Sequence, residues 1–272
     1  MTDLLDYFDL FILDLDGVIY EGNSLLEGAS EFLETLNNNE KQVYVLTNNS
    51  TLTREMYYQK LVQLGINIPI TNIFTSAYST ALYITQNYGK QKTVFVIGEI
   101  GLMEELNEMG IKPVNREQNS NLPNTVDFVV AGLDRYFNYD KMAIALRYFL
   151  NGAIFIASNN DPTLPTDKGI LPGAGSIIAA LSTCFGKGPV IIVGKPNPFS
   201  VKLILDKADV PPKRAVIIGD RYTTDISAGL NAKINTIMVL TGAGKSEKNI
   251  ALNADLKPHL IVDSVSELLK LL

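Results

Sequence analysis

The chain holds a single cysteine, a single histidine and no long apolar run, and each scarcity removes a class of function. Cys184 alone leaves no intrachain disulfide and no Cys-rich zinc site. His259 alone, in Lys257-Pro258-His259-Leu260, excludes sites built from several histidines. Any Ser-His-Asp triad would depend on it, and it reads as a structural residue. No apolar stretch approaches the roughly 18–20 residues that a membrane helix needs, so no membrane partner is expected. Basic residues are also short: 23 Lys and Arg stand against 29 Asp and Glu, for a net charge of −6. That balance argues against a nucleic-acid partner, which calls for a basic face, and any phosphate site must be made positive locally. The first residues, Met1-Thr2-Asp3-Leu4-Leu5-Asp6, show no basic n-region, so the reducing cytoplasm is the expected location.

What the chain does have is 272 residues, enough for an extensive core without disulfides, and a regular alternation. Short β-branched runs at 10–13, 42–46, 93–97, 126–130, 153–157, 190–193, 215–218, 236–239 and 260–262 predict strands. Helical spacing marks 29–37, 53–64, 102–109, 139–150, 199–208 and 266–271, and the most loop-like stretch is 115–124. Strands alternating with helices predict an α/β fold with a parallel sheet. Early and late strands end in polar motifs while the middle ones do not. The expected division is therefore 1–79 and 175–272 as one core, with 80–174 inserted as a smaller α/β domain.

The sharpest motif is Leu10-Phe11-Ile12-Leu13-Asp14-Leu15-Asp16-Gly17, an apolar strand that stops in two carboxylates. Ionised carboxylates at the end of a core strand need a compensating cation, which points to a divalent metal with acid/base or nucleophilic chemistry. A solvated Asp-Gly corner is the plainer alternative. Three further strand ends would share that edge of a parallel sheet, where α/β proteins bind ligands. Thr47-Asn48-Asn49-Ser50 offers hydroxyl, amide and backbone donors suited to phosphate, or simply a helix cap. Gly194-Lys195-Pro196 holds a lysine between turn residues, where it can neutralise a carboxylate and a phosphate or extend into solvent. Gly219-Asp220 through Thr224-Asp225 adds oxygen ligands suited to Mg²⁺, with Asp225 also readable as an ordinary first-turn acid.

In order and spacing these four motifs resemble the haloacid dehalogenase-type (HAD) phosphohydrolases, over nearly the whole chain. Asp14-Leu15-Asp16-Gly17-Val18-Ile19-Tyr20, Thr47-Asn48-Asn49-Ser50, Val193-Gly194-Lys195-Pro196 and Gly219-Asp220-Arg221 point to the NagD, p-nitrophenylphosphatase and phosphoglycolate phosphatase branch. The resemblance implies a Rossmann-like parallel-sheet core with an inserted α/β cap that closes over the site. It makes Asp14 the nucleophile, forming an aspartyl-phosphate, and Asp16 the general acid and then base. Thr47, Asn48 and Lys195 would hold the phosphoryl group. Mg²⁺ would be bound by Asp14, the Asp16 carbonyl, Asp220 and Asp225, the last at or just outside direct ligation. The implied activity is hydrolysis of a small organic phosphate ester, with p-nitrophenyl phosphate as an artificial substrate and a homodimer left open. A phosphotransferase or mutase on the same core, or an idle phosphometabolite-binding protein, is the alternative.

Ala157-Ser158-Asn159-Asn160-Asp161 resembles a cap loop of that branch that often reads Ala-Thr-Asn-Pro-Asp. Gly244-Lys245-Ser246 has the tail of a P-loop, but Val239 stands where its leading glycine belongs. Gly98-Glu99-Ile100-Gly101 and Gly173-Ala174-Gly175 are incomplete dinucleotide fingerprints and read as packing or turn glycines.

Overall fold

The computed structural model describes residues 4–114, 122–166 and 169–272, so most of the loop expected at 115–124 lies outside the described residues. The chain divides into two compact units. One comprises Met1–Thr47, Tyr57–Phe74 and Lys195–Leu272, and the other Asn48–Met56 and Thr75–Gly194.

The first unit is built on a six-stranded sheet in the order Leu260–Val262, Asn235–Val239, Ala215–Gly219, Leu10–Leu13, Gln42–Thr47, Ile73–Thr75. Leu10–Leu13 is central, parallel to both neighbours, with Leu13 level with Ile218 on one side and Val45 on the other. All four of its side chains are fully buried, which is why it reads as an unbroken apolar run rather than an alternating one. Phe11 lies edge-to-face between Phe8 and Phe32, at centroid separations of 6.0 and 6.3 Å, and ties the strand to the helix Ala29–Asn38.

The second unit carries its own five-stranded parallel sheet, in the order Ile191–Ile192, Ile154–Ala157, Phe128–Ala131, Thr93–Ile97, Lys112–Pro113. Its core gathers Phe95, Tyr148, Phe149, Phe155 and, from the helix Ala174–Phe185, Ile177, Ile178 and Leu181. Where 80–174 was expected as the insertion, the second unit comprises Asn48–Met56 and Thr75–Gly194. The reason is burial: the apolar face of Ala174–Phe185 and the strand Ile191–Ile192 find their partners in the second sheet, not the first. As a result Lys195 does not sit at the end of a first-sheet strand, as its sequence context implied. It enters the first unit on a loop held by Asn231, whose amide donates to the Pro196 carbonyl at 3.0 Å.

Candidate active site

Asp14 is the residue after the central strand, and its N–H still donates to the Ile218 carbonyl at 2.9 Å, so the sheet ladder fixes its backbone. Lys195 is buried, and its ammonium donates to Asp14 Oδ1 at 2.7 Å and to the Leu46 carbonyl at 2.7 Å. The same ammonium pairs with Asp225 Oδ1 at 2.5 Å. Asp220 follows the strand Ala215–Gly219, and its Oδ2 accepts from the Ala243 N–H at 2.6 Å. Asp225 lies in a single π-type turn, Tyr222–Ile226, and its Oδ2 accepts from the Arg221 N–H at 3.0 Å. Such turns recur at functional sites because they re-aim one side chain out of the helical repeat.

Asp14, Asp220 and Asp225 each place one carboxylate oxygen within 4.8 Å of the others. Three carboxylates crowded against one lysine leave an excess of negative charge in a buried place. Burial pushes the Asp14 carboxyl well above its usual range; Lys195 works against this, while Asp225 and Asp220 add to it. Burial and then the Asp225 charge push Asp220 up to about 7. For Lys195, burial alone would lower the ammonium, but Asp14 and Asp225 outweigh it and hold it above the usual lysine value. The hard-oxygen donor set and the surplus negative charge fit a divalent cation of the Mg²⁺ type, which needs few protein carboxylates and keeps several waters.

Glycines make this crowding possible. Gly17 has φ +81°, and a Cβ there would lie 2.5 Å from Asp220 Oδ2. A Cβ on Gly242 would lie 2.3 Å from the same oxygen. The Thr241 hydroxyl donates to the Gly17 carbonyl at 2.5 Å, so the loop after Asn235–Val239 is pinned to the loop after Leu10–Leu13.

Asp16 is exposed and is not part of the three-carboxylate cluster. Burial of its surroundings raises its carboxyl, while Lys60, then Lys195, then Tyr20 act in the opposite direction. Thr47 closes the strand Gln42–Thr47 and is buried. Asn48 falls in the second unit, where its amide donates to Asp161 Oδ2 at 2.8 Å. Asn159 donates to the same oxygen at 2.6 Å. The Asn48 side-chain nitrogen is thus engaged by a carboxylate within its own unit. Outside the site, His259 accepts from the Thr236 N–H at 3.2 Å and faces the Thr236 hydroxyl at 2.9 Å. The glycines of the incomplete fingerprints are in tight packing, with a Gly101 Cβ falling 2.4 Å from the Leu52 backbone.

Sequence reasoning missed Gly242 and Ala243, which brace Asp220, because the run Thr241–Gly244 carries no motif beyond the rejected P-loop tail.

Comparison with known proteins gives the same assignment from two directions. Residues 11–112 match the haloacid dehalogenase-like hydrolase family, and residues 192–268 match a second HAD-hydrolase-like family. The chain is 37% identical over 243 residues to the acid sugar phosphatase of Staphylococcus epidermidis, covering 89% of this chain and 90% of that protein. Among solved structures it is similar to 4-nitrophenylphosphatase from Thermotoga maritima, with a TM-score of 0.88 and 37% identity over 99% of both chains. It is also similar to the glycerol phosphate phosphatase of Mycobacterium tuberculosis in complex with magnesium. There the TM-score is 0.86 at 30% identity, over 98% of this chain and 78% of that one.

Proposed function

The chain belongs to the haloacid dehalogenase-like hydrolases, in the NagD and p-nitrophenylphosphatase branch, and from that premise we propose that it hydrolyses small organic phosphate monoesters through an aspartyl-phosphate on Asp14. It is a phosphatase of that family. The observation that carries the mechanism is the convergence of Lys195 on both Asp14 and Asp225 in a buried corner at the end of the central strand.

Asp14 attacks the phosphorus atom along the line of the leaving oxygen. The phosphorus–oxygen bond of the ester breaks as the carboxylate–phosphorus bond forms. Lys195 limits the repulsion between the carboxylate and the incoming phosphate dianion and keeps Asp14 oriented. Asp16, accessible where Asp14 is only half-buried, donates its proton to the departing alkoxide. It then takes a proton from the water that attacks the phosphoryl group, which releases inorganic phosphate and restores Asp14. The Thr47 hydroxyl and backbone bind phosphoryl oxygens, while the Lys195 ammonium, whose three N–H groups go to Asp14, Asp225 and the Leu46 carbonyl, offsets the phosphoryl charge. Asp14, the Asp16 carbonyl, Asp220 and Asp225 would hold Mg²⁺, which when bound neutralises phosphoryl charge. Asn48 orders the turn after Thr47 through its bond to Asp161 rather than meeting phosphate with its amide nitrogen.

The test is release of inorganic phosphate from p-nitrophenyl phosphate with Mg²⁺, with EDTA, and by Asp14→Asn. Activity is expected only in wild-type protein with metal. Turnover by Asp14→Asn at the wild-type rate rejects the nucleophile.

A further inference from the structure

We propose that Glu247 is a positioning residue for the metal site: it holds Thr223, and through Thr223 the turn that aims Asp225. The inference rests on the cation-holding role given above to Asp14, Asp220 and Asp225, and every residue it uses lies in the first unit.

Asp225 is carried by the π-type turn Tyr222–Ile226. Such geometry is less favourable than the α repeat, so a π-type turn needs something outside it to hold it open. A slip of one residue would swing a side chain about 100° around the helix axis. Asp225 has no room for that. It is buried, it pairs with Lys195, and it packs so closely on the strand end that a Cβ on Gly219 would lie 2.1 Å from its own. Within the turn the Asp225 and Ile226 N–H groups share one acceptor, the Arg221 carbonyl, at 2.9 and 3.2 Å. Thr223 stands near the start of the turn, where a helical N–H finds no partner in its own helix. Glu247 supplies one: its Oε2 accepts from the Thr223 N–H at 2.9 Å, and the Thr223 hydroxyl donates to Oε1 and Oε2 at 3.0 Å each. A glutamate in the first turn of a surface helix ordinarily spends its oxygens on water. Here both go to a single residue of the metal-bearing turn.

Glu247 also completes a larger clasp. The run 241–247 reaches each of the loops that bear the cluster. Thr241 donates to the carbonyl of Gly17, in the loop after Asp14, and the Ala243 N–H donates to the Asp220 carboxylate. Glu247 adds the turn of Asp225. The same run contains Gly244-Lys245-Ser246, whose likeness to a P-loop tail is a matter of packing: a Cβ on Gly244 would lie 2.1 Å from the Val239 carbonyl oxygen. Clustered carboxylates repel one another, so the loops bearing them must be held before a cation binds, and residues that orient the ligands set the affinity for the metal.

The experiment follows the melting temperature of the full chain against Mg²⁺ concentration, without substrate, in wild-type protein, Glu247→Ala, Glu247→Gln and Thr223→Val. The Mg²⁺ concentration at which the melting temperature begins to rise reports the dissociation constant. Glu247→Ala is expected to raise that onset about tenfold, while its melting temperature in EDTA stays within about 2 °C of wild type. Glu247→Gln, whose amide oxygen still accepts from the Thr223 N–H, recovers most of the loss, and Thr223→Val, which gives up only the hydroxyl bonds, shows a smaller rise. An unchanged onset in Glu247→Ala overturns the proposal, whether or not its melting temperature in EDTA falls, because Glu247 then serves stability alone. A Glu247→Gln protein as impaired as Glu247→Ala also overturns it, by assigning the effect to charge rather than to the hold on Thr223. Should Glu247→Ala fail to fold, Thr223→Val breaks the same contact from the other side. Wild-type protein whose melting is indifferent to Mg²⁺ overturns the metal reading itself. A responsive wild type with equally responsive Glu247 and Thr223 variants overturns the brace alone.

Discussion

The two units are built on the same plan, a parallel sheet of buried apolar strands, yet they end their strands differently. In the first, Leu10–Leu13 runs into Asp14 and Ala215–Gly219 into Asp220. In the second, Thr93–Ile97 runs into Gly98, Phe128–Ala131 into Gly132 and Ile154–Ala157 into Ser158. Small residues there fill tight space: a Cβ on Gly132 would sit 2.5 Å from the Ser158 hydroxyl. Among the described residues the second unit also buries charge, but pairs it: Glu105 accepts from the Arg54 backbone at 2.7 Å and from its guanidinium at 3.2 Å, and Asp134 pairs with Lys141 at 2.7 Å. The first unit leaves a surplus of carboxylates around one lysine. The difference teaches that chemistry here follows from what stands at the strand ends, not from the sheet that carries them.

That contrast can be broken most forcefully at Asp220. Asp220→Asn removes one of three clustered oxygens and is expected to cut activity at low Mg²⁺ by about 100-fold, with partial recovery at high Mg²⁺. A Mg²⁺ titration of phosphate release checks it, and an unchanged midpoint would remove Asp220 from the metal. Next come paired glycine variants. Gly17→Ala drives a methyl into the Asp220 carboxylate and should abolish most activity, whereas Gly22→Ala, whose Cβ meets nothing within 4 Å, should keep it. Both positions have positive φ, so the second variant controls for backbone strain. Gly101→Ala, in the second unit, meets the Leu52 backbone and should cost about 1–3 kcal/mol of stability, read by urea denaturation. Glu105→Gln is expected to lose about 1–3 kcal/mol in the same assay, because the Arg54 guanidinium loses its buried charge partner and keeps only the exposed Glu108 at 3.8 Å.

The smallest effect is electrostatic. The Asp127 carboxyl is raised by burial, but the Thr93 N–H and hydroxyl and Lys92 outweigh that and hold it below the ordinary aspartate value of 3.8. A depressed carboxyl stabilises the folded state above its unfolded value and loses that contribution as pH falls through its folded value. Asp127→Asn should therefore lower the melting temperature by at most a few degrees at neutral pH. The gap should close as the solution is taken below pH 3.8. A gap that persists unchanged in acid would assign the effect to packing.

Much of this was legible in the sequence, for reasons that the structure makes plain. All nine expected strands are present to within about two residues, because buried parallel strands are short β-branched runs with sharp ends. Asp14, Lys195, Asp220 and Asp225 stood out because polar residues interrupted those runs. The helices Ser76–Tyr88, Ala174–Phe185 and Gly244–Asn253 were not foreseen. Ser76–Tyr88 is rich in Ser, Thr and Tyr and buries a face of small residues, including Ser76, Ala77, Ser79 and Thr80, which carries no clear apolar stripe. The extent of the second unit beyond 174 is not legible in the sequence, because only long-range pairing reveals that Ile191–Ile192 joins Ile154–Ala157. Lys60 was invisible for a similar reason: on a largely polar helix a lysine reads as a solvated side chain, and only three-dimensional placement brings it over Tyr20.

The central claim, that Asp14 takes the phosphoryl group, is tested most directly by trapping it. Wild-type protein mixed with Mg²⁺ and a labelled phosphate ester, then quenched in acid within one turnover, should carry the label on the peptide containing Asp14, and Asp16→Asn should accumulate more of it. Label found on another residue, or steady phosphate release with no labelled protein in either form, would contradict the account.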